Sequence, residues 1–332
     1  MSQKPDNNAL RVGVIGCGGI GRTHLNAYRA NGVVPVAVAD SNQRAVDAAV
    51  AEFGGRGYPD FDELIRVGGV DAVSICTPPA SHREIVVTAL EAGIAVLCEK
   101  PMATSVADAE AMAVVADRTG TLLTIGFCHR FQPHVERLRD LVANGDLGTV
   151  LMFRNRFAGH LKQVEQTWFA RPEVAGGGVM FDTCVHSVDL FRFLVGEPER
   201  VKALSASTPT ALGPALDVED TAIISLSTAS GALGVIEASW RTPPGEWTLT
   251  IYGTAGSATV DYATDELRLR PAGKGDEQVV EVPAGDRFER EIAHFMAAVQ
   301  GHEPPRVTAR DGVAANRILA AAYASAADRG ND

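Results

Sequence analysis

Cysteine is scarce in this chain and does not pair up. There are five residues, Cys17, Cys76, Cys98, Cys128 and Cys184, with no CxxC spacing among them. An odd, dispersed set of this kind reads neither as a disulfide framework nor as a zinc site. Cys17, Cys76 and Cys98 stand in or beside apolar runs and read as small buried hydrophobes in a reducing compartment. No apolar run approaches the roughly 20 residues that a membrane-spanning helix needs. The amino terminus shows neither the basic stretch nor the apolar stretch of a secretory leader, so a cytoplasmic location is expected. Basic charge is also short: 30 Lys and Arg stand against 41 Asp and Glu, a net charge of −11. A surface of that sign repels phosphate backbones and anionic lipid, which excludes nucleic acid and membranes as expected partners. The acidic residues are spread rather than blocked and serve solubility. Internal repeats are lacking, and the only biased stretch is the polar start from Met1 to Asn8.

What remains is ordinary globular composition, 46% hydrophobic and 21% charged, over 332 residues, enough for two domains. Through residue 126, short apolar runs alternate with helical patterns. The strand candidates are Arg11–Ile15, Val34–Ala39, Ala72–Cys76, Ile94–Cys98 and Leu122–Ile125. They are almost continuously apolar, as parallel strands covered on both faces must be. Ser81 to Glu84 and Ser105 to Asp108 match the capping-box pattern at helix starts, and Gly93 reads as a stop. The expected domain over 1–126 is a doubly wound parallel sheet of α/β class.

After Phe127 the rhythm changes. A helix is expected from Pro133 to Asn144. Thr221–Ser227 and Ala232–Trp240 read as a hairpin, and Trp247–Tyr252, Ser257–Tyr262 and Leu267–Arg270 as further strands. Helices over Asp286–Gln300 and Ala309–Ala327 close the chain. Residues 127–332 are therefore expected to form an α+β domain with a large, open, antiparallel-rich sheet. Such a sheet leaves one face needing cover, which a second copy can supply in a homodimer or homotetramer.

Val12 to Ile15 runs straight into Gly16-Cys17-Gly18-Gly19-Ile20-Gly21, and a helical stretch follows. GxGxxG alone is weak evidence, but between a strand and a helix it is the signature of a dinucleotide site. Gly16 permits the tight turn, Gly18 lets a pyrophosphate approach the backbone, and Gly21 lets helix pack on strand. The N–H groups around Gly19 and Ile20 face the phosphates at the positive helix end. Asp40 closes the second strand at the expected distance. Its carboxylate can hold the ribose hydroxyls of NAD and would repel the 2′-phosphate of NADP; otherwise it caps the next helix. Ser41 and Asn42 follow it, so NAD is preferred, and Arg44 leaves NADP as a secondary cofactor. Thr77-Pro78, ending the next strand, can wall a nicotinamide pocket or simply stop the strand. His82 beyond it is a further cofactor candidate or a polar helix-start residue.

Glu99-Lys100-Pro101 ends the strand after that. Proline holds the preceding backbone extended. A lysine fixed there can hydrogen-bond a carbinol oxygen during hydride removal, or it forms a surface pair with Glu99. Farther on, Gly176-Gly177-Gly178 leads to Asp182 and His186, four apart and on one face of a helix. The carboxylate can orient the imidazole as a general base. A metal pair and a structural helix start are the alternatives, and no third ligand lies at a recognisable spacing, so no metal is expected. Arg154, Arg156 and His160 lie on or after the first strand of the second half. With Trp168 in the loop beyond, Arg156 is a candidate substrate contact.

The combination of Gly16 to Gly21, Asp40, Glu99-Lys100-Pro101 and Asp182xxxHis186 resembles the Gfo/Idh/MocA oxidoreductase family over nearly the whole chain. The resemblance implies a Rossmann domain, an open-faced sheet domain, and NAD(P)-dependent oxidation or reduction of sugars, cyclitols and their derivatives. It also implies that Lys100 is the motif lysine and that Asp182 and His186 form the catalytic dyad. The run from Asp182 to Leu190 is most similar to inositol dehydrogenases. Cys128-His129-Arg130 departs from the basic-aromatic run common in the family. The expected function is NAD-dependent hydride transfer at a secondary alcohol of a cyclitol or sugar. The alternatives are a ketoreductase of a nucleotide-linked sugar, a redox-sensing NAD(H)-binding protein, and a glycosidase using NAD transiently.

Overall fold

The computed structural model describes residues 10–273 and 275–328; the polar start from Met1 to Asn8 lies outside them. The chain divides into two compact units. The first comprises 1–103, 107–126 and 288–313, the second 104–106, 127–287 and 314–332.

The first unit carries a six-stranded parallel sheet: β1 (Val12–Ile15), β2 (Ala37–Ala39), β3 (Arg56–Tyr58), β4 (Ala72–Ile75), β5 (Ala95–Cys98) and β6 (Leu123–Ile125), in the order β3-β2-β1-β4-β5-β6. Every residue of β1, β2, β4, β5 and β6 is buried, which explains why their spelling is apolar but for Ser74 and Thr124. The strand order reverses between β1 and β4, and ligands of such sheets bind outside the carboxyl ends of the strands at that point. The sequence reading missed β3, whose three residues, Arg-Gly-Tyr, are too few and too polar to show a period. Helices α1 (Gly19–Ala30), α2 (Gln43–Phe53), α3 (Phe61–Val67), α4 (His82–Glu91) and α5 (Val106–Thr119) alternate with the strands.

Residues 288–313, assigned by sequence to the second domain, lie in the first unit instead. The physical reason is the helix over Arg287–Val299, whose Ile292 and Phe295 join Leu25, Tyr28, Val38 and Phe53 in one buried cluster. Ser81 also differs from expectation. It makes no cap; its hydroxyl lies 2.9 Å from the Pro78 carbonyl oxygen, to which it can donate, and 2.8 Å from Thr77 Oγ1.

The second unit is built on an eight-stranded mixed sheet. Its strands are β7 (Val150–His160), β8 (Arg200–Ala206), β9 (Thr221–Ser227), β10 (Leu233–Ser239), β11 (Arg241–Gly253), β12 (Gly256–Asp261), β13 (Glu266–Pro271) and β14 (Gln278–Val280). The order is β14-β13-β12-β11-β7-β10-β9-β8; β7 and β10 run parallel and the other neighbours antiparallel. Side chains alternate between faces. Phe153, Asn155 and Phe157 of β7 are buried on one face, toward the helices. Arg154 and Arg156 point to the other. On that open face the register aligns Leu204, Ile223 and Glu237 with Arg156, and Leu233 and Tyr252 with Met152. No helix among the described residues is long and apolar enough to cross a membrane.

Candidate active site

In the first unit, the loop from β1 to α1 is shaped by its glycines. Gly16 has φ +94°, and a Cβ there would come within 2.6 Å of the Cys76 carbonyl oxygen. A Cβ on Gly21 would collide with the Gly16 carbonyl. Gly18 and Gly19 differ: both are exposed, and a Cβ on either would meet nothing within 4 Å. They open the amino end of α1, with Gly18 as N-cap and Ile20 half-buried behind them. That space beside a helix start suits a pyrophosphate.

Asp40 braces this loop. Its Oδ2 accepts the Cys17 N–H at 2.7 Å, and Oδ1 accepts the Asn42 N–H at 2.8 Å. The cap of α2 is Asn42, which accepts from the Arg44 N–H, so Asp40 is not the helix cap. A carboxylate has about four lone-pair sites, so both oxygens retain capacity for ribose hydroxyls. Burial, with the Asp40 charge beside it, pushes the Cys17 thiol up to about 12, so this cysteine stays neutral.

Five other expected residues lie at or just beyond the carboxyl ends of β4 and β5. Thr77 and Pro78 are half-buried. His82 is wholly buried, its Nε2 2.8 Å from the Thr77 carbonyl and its Nδ1 3.1 Å from the Pro101 carbonyl. It therefore clamps two loops together rather than presenting a face to a ligand, which corrects its expected contact with the cofactor. Desolvation lowers its pKa, outweighing the backbone hydrogen bonds and the Glu99 charge that favour the charged ring. Glu99 is not a surface partner of Lys100. It is buried, with Oε1 2.9 Å from Nε2 of the buried His24, while Oε2 accepts the Lys100 N–H at 3.2 Å. Lys100 itself is half-buried at the end of this brace.

In the second unit the segment bearing Asp182 is not α-helical as expected. Met180–Cys184 forms a π turn that passes into α-helix Val185–Leu194, here α6. The wider turn alters the simple four-residue facing of Asp182 and His186, and π turns recur at functional sites. Glu219 fixes the turn, its Oε1 accepting from the Gly178 N–H at 3.1 Å, the Met180 N–H at 2.9 Å and Tyr323 Oη at 2.6 Å. Asp182 and His186 are both half-buried. The Thr183 hydroxyl donates to Asp182 Oδ2 at 3.1 Å.

The sequence did not single out His129, Tyr262, Trp247 or Arg287. With Ala263, these line a cavity of about 230 Å³. The His129 ring centroid lies 4.6 Å from that of His186 and 5.1 Å from that of Phe157, and its Nδ1 is 3.2 Å from Tyr262 Oη. Trp247 stacks on Phe157 at 4.9 Å. Burial pushes the Tyr262 phenol up, with Arg287 partly opposing, so it remains a hydroxyl at neutral pH. The signal available in the sequence was the Cys128-His129-Arg130 departure. Arg130 makes a buried two-pronged contact with Asp189, Nε to Oδ2 at 2.8 Å and Nη2 to Oδ1 at 2.5 Å, fastening the turn that bears His129 to α6.

One expected substrate residue stands elsewhere. Arg156 is on the open sheet face, paired with Glu237 at 2.6 Å and Glu246 at 3.0 Å. Its neighbour in sequence, Phe157, faces His129, so alternation along the strand turns Arg156 away from His186. Trp168 is half-buried in a short 3₁₀ turn, stacked on Phe169 at 4.0 Å.

Residues 10–127 match the oxidoreductase family with NAD-binding Rossmann fold, and residues 135–259 match the GFO/IDH/MocA C-terminal domain. The chain is 31% identical to 1,5-anhydro-D-fructose reductase of Ensifer adhaerens, over 91% of this chain and 92% of that protein. It is 29% identical to myo-inositol 2-dehydrogenase of Thermotoga maritima, again over 91% and 92%. Among solved structures, levoglucosan dehydrogenase in complex with NADH and levoglucosan superposes with a TM-score of 0.89 at 26% identity, covering 97% of this chain and 98% of that one.

Proposed function

This chain belongs to the Gfo/Idh/MocA oxidoreductase family, and from that premise we infer that it is an NAD-dependent dehydrogenase of a secondary alcohol on a cyclitol or sugar. The observation that carries the reading is the glycine loop: Gly18 and Gly19 stand open at a helix start, while Asp40 holds the loop from the end of β2. NAD is preferred and NADP secondary. Bound NAD supplies the acceptor for the hydride that leaves the carbinol carbon.

The remaining work falls to this chain's own side chains. His186 takes the hydroxyl proton, Asp182 orients it, and Lys100 hydrogen-bonds the oxygen as negative charge develops there. The cavity lined by His129, Trp247 and Tyr262 offers hydrogen-bonding groups beside an aromatic surface. That mixture suits a polyhydroxylated ring, whose C–H face is apolar and whose edge is polar. The relatives act on such molecules by their names. The simple sugar or cyclitol is the favoured class, with a nucleotide-linked sugar as the alternative.

The open sheet face supports self-association. Leu204 is 74% exposed, Leu233 53%, Ile223 46% and Tyr252 39%, all on that one side. A second copy covering this face gives a homodimer or homotetramer. Five buried free thiols suit a reducing cytoplasm.

The test is an NADH-formation screen over cyclitols and simple sugars, repeated with His186→Ala. At least one such substrate is expected to turn over, and the variant to lose about 10²- to 10⁴-fold in kcat with NAD affinity unchanged. NAD(H) binding with no turnover on the whole panel would overturn the dehydrogenase, and an undiminished kcat would remove His186 from the mechanism.

A further inference from the structure

Cys128, His129 and His186 each offer a ligand atom, and these atoms all lie within 4.8 Å of one another. Cys128 and His129 are buried, and His186 is half-buried with its ring against that of His129. A thiol and two imidazoles form a donor set for borderline-soft divalent ions, with no appeal for magnesium or calcium. We propose that these three side chains bind a single zinc-type ion, and that its occupancy switches the enzyme off.

Metal–nitrogen bonds of about 2.0–2.1 Å and a metal–sulfur bond of about 2.3 Å let one ion sit among donor atoms that all lie within 4.8 Å of one another. Nδ1 of His129 faces Tyr262 Oη at 3.2 Å, so coordination through Nε2 keeps that contact in place. The ring then donates Nδ1–H to the phenol oxygen, the outer hydrogen bond that metal-bound imidazoles usually carry. The Arg130–Asp189 contact holds Cys128 and His129 against α6, so the cluster is positioned in advance. Arg287 lines the same cavity and repels a cation. The thiolate offsets this, since binding follows M²⁺ + Cys128–SH → (M–S–Cys128)⁺ + H⁺, with the proton released to solvent. Ions that gain little from sulfur are selected against.

The inhibitory half rests on the reading of His186 given above. A coordinated imidazole has committed the lone pair that would accept the alcohol proton. The binding half does not depend on that reading, and the experiment separates the two.

The whole chain, freed of metal by a chelator, is titrated with cobalt(II), while zinc(II) is added to parallel turnover assays. Binding predicts one cobalt per chain, visible d–d bands of tetrahedral intensity, and an ultraviolet sulfur-to-cobalt charge-transfer band. Cys128→Ser should abolish the charge-transfer band and weaken zinc inhibition by more than the roughly 10- to 100-fold that follows loss of an outer-sphere partner, while activity without metal stays unchanged. His186→Gln, at a less buried position, should also remove the tetrahedral spectrum if Cys128→Ser fails to fold. No cobalt spectrum, or a charge-transfer band that survives Cys128→Ser, overturns the site. One bound cobalt with zinc leaving turnover unaffected overturns the inhibition, and that result tells against His186 as the base, not against the site.

Discussion

The Asp40 carboxylate reaches back 23 positions to accept the Cys17 N–H at 2.7 Å, so the residue expected to grip the ribose also holds the turn that receives the phosphates. Cofactor preference and loop shape are thus tied to one side chain. Asp40→Ala is expected to raise the KM for NAD while leaving kcat nearly unchanged, and to narrow the preference over NADP. The hydrogen bond to a charged group is worth about 1.5–3 kcal/mol. Steady-state kinetics with both cofactors measure it, and an unaltered ratio would leave Asp40 a brace alone.

Glycine substitutions should divide by what their new methyl meets. Gly18→Ala encounters no protein atom within 4 Å, so its melting temperature is expected to match the wild type while NAD binding weakens. Gly21→Ala drives a methyl into the Gly16 carbonyl and should lower both. Thermal melts with and without NAD distinguish the two; equal Tm losses would contradict the assignment of Gly18 to the ligand side.

The clamp at His82 predicts a pH effect on stability. Desolvation holds its folded pKa below the ordinary value of 6.5, so between those two values the unfolded chain binds more protons. Stability is then full above pH 6.5 and falls as pH drops below it. Melting temperature followed from pH 7.5 downward to about 5.5 should decline through this window, and His82→Gln should flatten that portion of the curve. An identical slope in the variant would assign the decline to other groups.

Arg130 and Asp189 are 6% and 1% exposed. Removing one partner strands a buried charge, so Arg130→Met or Asp189→Leu should each cost about 3–5 kcal/mol. The double replacement should cost less than the sum. Chemical denaturation of the four forms closes the cycle; strict additivity would mean that the two groups do not depend on one another.

Much of the first unit was legible because doubly buried strands must be apolar along their whole length, and because glycine spacing is dictated by sterics. Residues 288–313 were not, since a helix packs by its apolar stripe and sequence order does not say which core receives that stripe. The second unit yielded its hairpin through turn residues, yet its site was only half visible. His129 and Tyr262 meet across 133 positions, and neither sits in a local pattern that announces the other. Arg156 misled because an arginine on a strand looks the same whether it awaits a ligand or already holds Glu237 and Glu246; only the parity of the strand tells the difference. The π turn at Met180–Cys184 was invisible for a similar reason, its spelling being compatible with ordinary helix.

That widened turn has a practical consequence for anyone reshaping this protein. One extra residue is accommodated between Glu219's anchor and the start of α6, and a single deletion within Met180–Cys184 would tighten the coil to regular pitch. A coil of π pitch turns through about the same total angle with that residue as an α coil does without it, so the helix downstream would keep its phase, Ser187 toward Asn155 and Asp189 toward Arg130. What the deletion would remove is the wide turn that carries Asp182, and with it the bearing of Asp182 toward His186.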